Sequence, residues 1–302
     1  MTLSPSDSRS GVAATYYTVD GGPTQTYSGP FMIDGSAIHQ LNYWSVDNVG
    51  NTEVQKSETI KIDKEGPTTE SSLSGPAGNN GYFKGSVQVT LSATDNVAGL
   101  ATNGTSYKID NGPQMAYMSS PFTVSGDGTH TVSFWSTDVA GNSASPNTIT
   151  IRIDATAPAT QAAAAGTAGA GGWYTSQVQV TLSATDIESG VDGTFYAIDG
   201  GVSQPYTAPF TISNSGTHTI LYWSIDRAGN AESQQSMIIK VDVDAPATQA
   251  ALAGTSNSDG WYTSQAQLTL SATDTQSGVD STYYTIDGGS SHPLFSAVQH
   301  FQ

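Results

Sequence analysis

The chain contains no cysteine, which excludes a disulfide framework, thiolate-bound zinc, iron–sulfur clusters and a cysteine nucleophile. Positive charge is almost as scarce. Nine Lys+Arg stand against 26 Asp+Glu, a net charge of −17, so no basic surface is available to neutralise phosphates and nucleic acid is not a partner. No apolar run approaches the roughly 18 residues a membrane helix requires, so membrane insertion is not expected, and residues 1–10 lack the apolar stretch of a signal peptide. Gly-x-Ser-x-Gly, His-Glu-x-x-His, a P-loop and a phosphate-cradling Gly-x-Gly-x-x-Gly are all missing. Nothing in the sequence points to an enzyme.

What the sequence has instead is self-similarity, which decides the fold class before any local reading. Thr-Leu-Ser-Ala-Thr-Asp occurs at 90–95, 181–186 and 269–274, with a variant, TLSPSD, at 2–7, so the steps are 88, 91 and 88 residues. Trp44, Trp135 and Trp223 keep the same steps, as do the Asp-x-x-Gly-Asn strings at 47–51, 138–142 and 226–230. An Asp four residues before a Pro closes each unit, at Asp63, Asp154 and Asp242. Four units are expected: a repeat truncated at its N-terminal side over 1–66, complete repeats over 67–157 and 158–245, and a repeat truncated at its C-terminal side over 246–302. Each complete unit is the size of a small domain.

Within a unit the strand signals are regular. Residues 86–95 alternate Val87, Val89 and Leu91 with Gln88, Thr90 and Ser92, the period of a half-buried strand. Tyr107 and Ile109 alternate likewise and run into Asp110-Asn111-Gly112, where the other units have Asp-Gly-Gly, a hairpin-turn composition. Further strands are expected over 122–125, 130–138 and 148–154. The Ala-rich run 159–170 contains Gly166 and Gly169 and reads as a loop. About seven short strands with frequent turns predict an all-β chain of tandem immunoglobulin-like antiparallel β-sandwiches in an extended array.

The strings STDVAGNSASPNTITIRIDATAP (136–158) and WSIDRAGNAESQQSMIIKVDVDAP (223–246) resemble the closing strands and linker of bacterial Ig-like repeats, the Big families. The fuller pattern GWYTSQVQVTLSATDIESGVDGTFYAIDGG (172–201), followed by Tyr206 and Pro209-Phe210, is similar to the subgroup first named after a leptospiral outer-membrane protein. The resemblance covers nearly the whole chain. It implies repeats that serve as spacers or binding modules of secreted and surface proteins, adhesins among them, many binding Ca²⁺ at domain junctions.

The recurring carboxylates carry the candidate chemistry. In an immunoglobulin-type sandwich the loop after the second strand and the loop before the last strand lie at the end where the chain enters. That gathers Asp63 with Asp95, Asp138 and Asn142 at one junction, Asp154 with Asp186, Asp226 and Asn230 at the next, and Asp242, Asp244 and Asp274 at the third. Converging carboxylate and amide oxygens suit a hard cation with six to eight oxygen ligands, hence Ca²⁺. The plainer reading is that Asp-x-x-Gly-Asn is turn chemistry. His39, His130 and His218 recur eight residues before the same Asp and read as satisfied strand-start residues. Counting back by twos from Asp138 places Ser136, Phe134 and Val132 on the core face and Trp135 outside. Trp44, Trp135 and Trp223 thus form an outer aromatic stripe for stacking on sugars or for cross-strand pairing. The expected function is a non-enzymatic extracellular or cell-surface spacer of a bacterial protein, stiffened by calcium at its junctions. Its partners are neighbouring repeats of the same chain and, as candidates, cell-surface glycans or a protein receptor. The alternative is a carbohydrate-binding accessory module of a secreted glycoside hydrolase.

Overall fold

The computed structural model describes residues 1–294 and 298–300, so the last expected repeat lies partly outside the described residues. Among the described residues there is no α-helix, and none long and apolar enough to cross a membrane. The chain divides into two compact units, Met1–Ala155 and Thr156–Gln302.

The first unit opens with β1 (Val12–Val19), β2 (Gln25–Thr26), β3 (Ala37–Asp47) and β4 (Lys56–Ile62), which form one sheet in the order β2-β1-β3-β4. There follow β5 (Thr68–Ser74), β6 (Tyr82–Phe83), β7 (Val87–Thr94) and β8 (Leu100–Ile109). The unit ends with β9 (Met115–Ala116), β10 (Phe122–Val124), β11 (Gly128–Asp138) and β12 (Asn147–Ile153). These eight strands make a three-stranded sheet, β10-β7-β5, and a five-stranded sheet, β6-β12-β11-β8-β9. That is the two-sheet arrangement of an immunoglobulin-type sandwich.

The second unit repeats it. β13 (Ala159–Ala165), β14 (Trp173–Tyr174), β15 (Val178–Thr185) and β16 (Val191–Ile198) are followed by β17 (Gln204–Pro205), β18 (Phe210–Ile212), β19 (Gly216–Asp226) and β20 (Gln235–Val241). Their sheets run β13-β15-β18 and β14-β20-β19-β16-β17. Beyond them β21 (Ala247–Ala253), β22 (Gln267–Thr273), β23 (Tyr283–Tyr284), β24 (His292–Pro293) and β25 (Val298–His300) form the sheets β21-β22-β25 and β23-β24.

Alternation explains the cores. Val87, Val89 and Leu91 of β7 face inward against Val132 and Phe134 of β11 and Ile151 and Ile153 of β12. Val178, Val180 and Leu182 take the same places in the second unit. The hairpin turns after β1 and β16 put both central residues at positive φ, Asp20 at 53° with Gly21 at 70° and Asp199 at 52° with Gly200 at 73°. A type I′ turn requires this.

One local expectation is corrected. The Ala-rich run forms a strand over Ala159–Ala165, because it pairs residue for residue with β15 and Thr160 takes the buried position at its start. The aromatic pairs Tyr82-Phe83 and Trp173-Tyr174 reach the cores through Phe83 and Tyr174. They are short strands paired in parallel with β12 and β20.

Gly104 marks a close approach. A Cβ there would lie 2.4 Å from the Thr137 carbonyl oxygen and 2.9 Å from that of Ala101. Gly104→Ala should therefore cost about 1–3 kcal/mol as overpacking, to be read from a denaturant midpoint.

Candidate metal centre at the repeat seam

Three chain segments meet where the first sheet of unit one passes into the complete sandwich. Asp63 follows β4, Asp95 follows β7 and Asp138 ends β11, and one carboxylate oxygen of each lies within 4.8 Å of the others. Each side chain is fixed by backbone NH groups. Asp95 Oδ1 accepts the NH groups of Val97 at 3.1 Å and Gly99 at 2.7 Å. Asp138 is 2% exposed, and its two oxygens accept the Asn142 backbone NH at 2.8 Å and the Asn142 side-chain amide at 2.7 Å. Asp63 Oδ2 accepts the Ala98 NH at 2.8 Å, which ties the linker to the loop carrying Asp95.

Burial pushes the Asp138 carboxyl up, but the Asn142 amide and the loop NH groups outweigh it and hold the group below the ordinary carboxylate value. The seam therefore brings the Asp138 carboxylate close to those of Asp63 and Asp95.

Asn142 was expected to offer an oxygen. It turns its amide nitrogen toward Asp138 and also donates to the Asp63 backbone carbonyl at 3.2 Å, so it links the Asp138 carboxylate to the linker backbone. Asn230 holds Asp226 the same way, at 2.7 Å through its NH and 2.8 Å through its side chain. Asp186 accepts the Gly190 NH at 2.7 Å, and its carboxylate lies within 4.8 Å of that of Asp226. Asp154 closes unit one, its NH donating to Phe83 at 2.8 Å.

At the third expected group the linker aspartate again reaches the loop after β22. Asp242 accepts the Ser277 NH at 3.0 Å, and Asp274 accepts the Gly278 NH at 2.9 Å. Asp244 is exposed, and its NH donates to Asp242 at 3.2 Å. Among the described residues these three form no cluster of the seam's spacing.

The first repeat offers a comparison. Asp7, at the place of Asp95, accepts three NH groups between 2.8 and 3.0 Å, and Ser10 Oγ donates to Asp47 at 2.9 Å. The Asn51 amide leads the contacts that hold Asp47 down to about 2.

The modules are immunoglobulin-type sandwiches. No family model matches the chain, and no curated protein does. Among solved structures the chain is similar to the fibronectin(III)-like modules of Clostridium thermocellum CbhA, with 11% identity, 57% of this chain and 94% of that one covered and a TM-score of 0.28. It is similar to the D00-D0 domain of intimin, at 17% identity, 56% and 99% coverage and a TM-score of 0.30. A bacterial ice-binding adhesin of 1.5 MDa gives 16% identity, 78% and 90% coverage and a TM-score of 0.32.

In these sheets Trp44, Trp135 and Trp223 are half-buried on the long central strands. Trp44 stacks on Tyr16 and Trp223 on Phe195, each with ring centroids 5.9 Å apart, while Trp135 stands opposite Ser106. Glu232 is a residue that sequence reasoning missed. Its carboxylate accepts the Ser224 NH at 2.7 Å, the Thr160 NH at 3.1 Å and the Thr160 hydroxyl, pinning β13 to the last loop. The available signal was its place six residues after Asp226, matched by Glu53 after Asp47. Ala144 breaks that series in the second repeat.

Proposed function

We propose that the chain is a non-enzymatic extracellular spacer of a bacterial surface or secreted protein, of the bacterial Ig-like kind, whose seams bind Ca²⁺. The observation that carries the reading is the convergence of Asp63, Asp95 and Asp138 from three loops on one point between successive sheets. The donor set consists of oxygens, with neither thiolate nor imidazole, which suits a hard divalent cation. Three carboxylates supply up to six oxygens, and water would complete the shell. A cation held there would join the linker to both loops of the following sandwich, which is how a spacer gains stiffness.

The test is a melt of the whole chain in Ca²⁺ and in EDTA. A cation bound only to the folded state adds about 2.7 kcal/mol at a hundredfold excess over Kd, or a Tm rise of about 5–10 °C for a unit of this size. Small-angle scattering should change with chelation as well. Identical melts and profiles in the two buffers would overturn the calcium reading and leave a plain spacer.

The cross-strand pairs Tyr16–Trp44 and Phe195–Trp223 favour a second reading, the carbohydrate-binding accessory module. A glycan array separates the two. The spacer reading expects no binding, whereas signal lost on Trp223→Ala and Trp44→Ala would establish the other.

A further inference from the structure

One arrangement outside the seam is built three times. At the start of the long central strand of each five- or four-stranded sheet a histidine bridges two oxygens. His39 Nδ1 lies 2.8 Å from Asp20 Oδ2, and its Nε2 lies 3.2 Å from the Gly35 carbonyl. His130 has Asp110 at 3.1 Å and the Gly126 carbonyl at 3.0 Å. His218 has Asp199 at 2.8 Å and the Asn214 carbonyl at 3.0 Å.

The aspartates cannot easily turn away. In each case the other carboxylate oxygen accepts a backbone NH of the same strand, from Gln40, Thr131 or Thr219, at 2.8 Å. The aspartate's own NH donates back to that residue's carbonyl at 2.7–2.9 Å. All three sit in hairpin turns at φ 52–53°. The turn is thereby held in place with both imidazole nitrogens facing acceptors.

A neutral imidazole has one N–H and one lone pair, so it can satisfy only one of two facing oxygens. The imidazolium satisfies both. We propose that these three histidine–aspartate pairs are proton-operated latches, which close each hairpin turn onto its central strand under mildly acidic conditions and loosen it above neutrality.

The charged surroundings favour the closed form. His39 faces Asp20 and, more distantly, Asp34 in the loop before its strand, whose carboxylate pairs with Lys64. The loop before the His130 strand carries Asp127, which accepts the Ala155 NH at 2.9 Å. His218 has Asp199, and the corresponding loop carries Ser215 where the second repeat has Asp127. The strand on the other side offers only isoleucine in register, Ile60, Ile151 and Ile239.

Hydrogen bonds to Asp20 and Asp199 raise the pKa of His39 and His218, and the histidines lower those of the aspartates in return. The latch contribution is therefore complete below the unfolded histidine value, about 6.5, and is lost as pH rises through the raised folded values. On the acid side it persists until pH falls through the depressed aspartate values. The latch is built from residues other than the seam carboxylates and does not depend on the calcium reading.

The test uses the full chain in EDTA, which removes any metal contribution. Histidine ring titration by NMR should place His39 and His218 above 6.5. The triple variant H39Q/H130Q/H218Q should melt below the wild type by a margin that is widest near pH 5.5 and shrinks toward pH 8. A margin equal at both pH values, or ring pKa values at or below 6.5, would overturn the proposal. Should the variant fail to fold, the wild-type titration alone decides.

Discussion

Asp95→Asn should act in opposite directions with and without calcium. The substitution keeps Oδ1, so the bonds from the Val97 and Gly99 NH groups survive and the loop holds its shape. It removes one of three carboxylate charges crowded within 4.8 Å. Without metal the variant should melt at or above the wild type, because like charges at that distance repel. In saturating Ca²⁺ it should forfeit most of the metal-induced rise in Tm, because both charge count and oxygen count fall.

Asn142→Ala gives the complementary result. It leaves all three carboxylates in place and removes the amide that orients Asp138 and grips the Asp63 carbonyl. Loss of an orienting partner outside the ligand set weakens metal affinity by about 10- to 100-fold. Isothermal titration on both variants checks the pair. If Asp95→Asn lowered the metal-free Tm and kept the calcium response, the cluster would be a hydrogen-bonded turn and nothing more.

The seam was legible because two independent regularities meet there. The repeat step identified Asp63, Asp95 and Asp138 as equivalent landmarks, and strand alternation fixed which loops share an end. The same alternation put Val132, Phe134 and Ser136 inside, where the structure has them. What stayed hidden was whatever depends on side-chain direction or on residues without a pattern. A formula Asp-x-x-Gly-Asn cannot say which atom of Asn142 faces the carboxylate. Alanine has so little preference of its own that Ala159–Ala165 becomes a strand only through its neighbour β15. A two-residue strand such as Tyr82–Phe83 has no period to detect. The histidines were recognised as satisfied, but their partners lie 19 or 20 residues away across a hairpin, a relation visible only once β1–β3, β8–β11 and β16–β19 are in register.

Phe134→Ala should be the most damaging single change in the first unit. The ring is 3% exposed and packs among Val87, Val89, Leu91 and Ile151. Truncating a buried phenylalanine costs about 3–5 kcal/mol through lost transfer energy and the cavity left behind. Against a domain stability of about 5–15 kcal/mol, this repeat would be left barely folded, with its transition lowered and broadened. Phe134→Tyr is the control supplied by the chain itself, since Tyr43 and Tyr222 occupy the same place in the flanking repeats. Those tyrosines are half-buried, so their hydroxyls have a route out of the core and the tyrosine variant should lose less than about 1.5 kcal/mol. The core around Val178, Val180 and Ile239 contains none of these residues, so its transition should stay where it is while the other moves. A single merged transition that fell as one body would show instead that the repeats unfold together, and stability would no longer be set repeat by repeat.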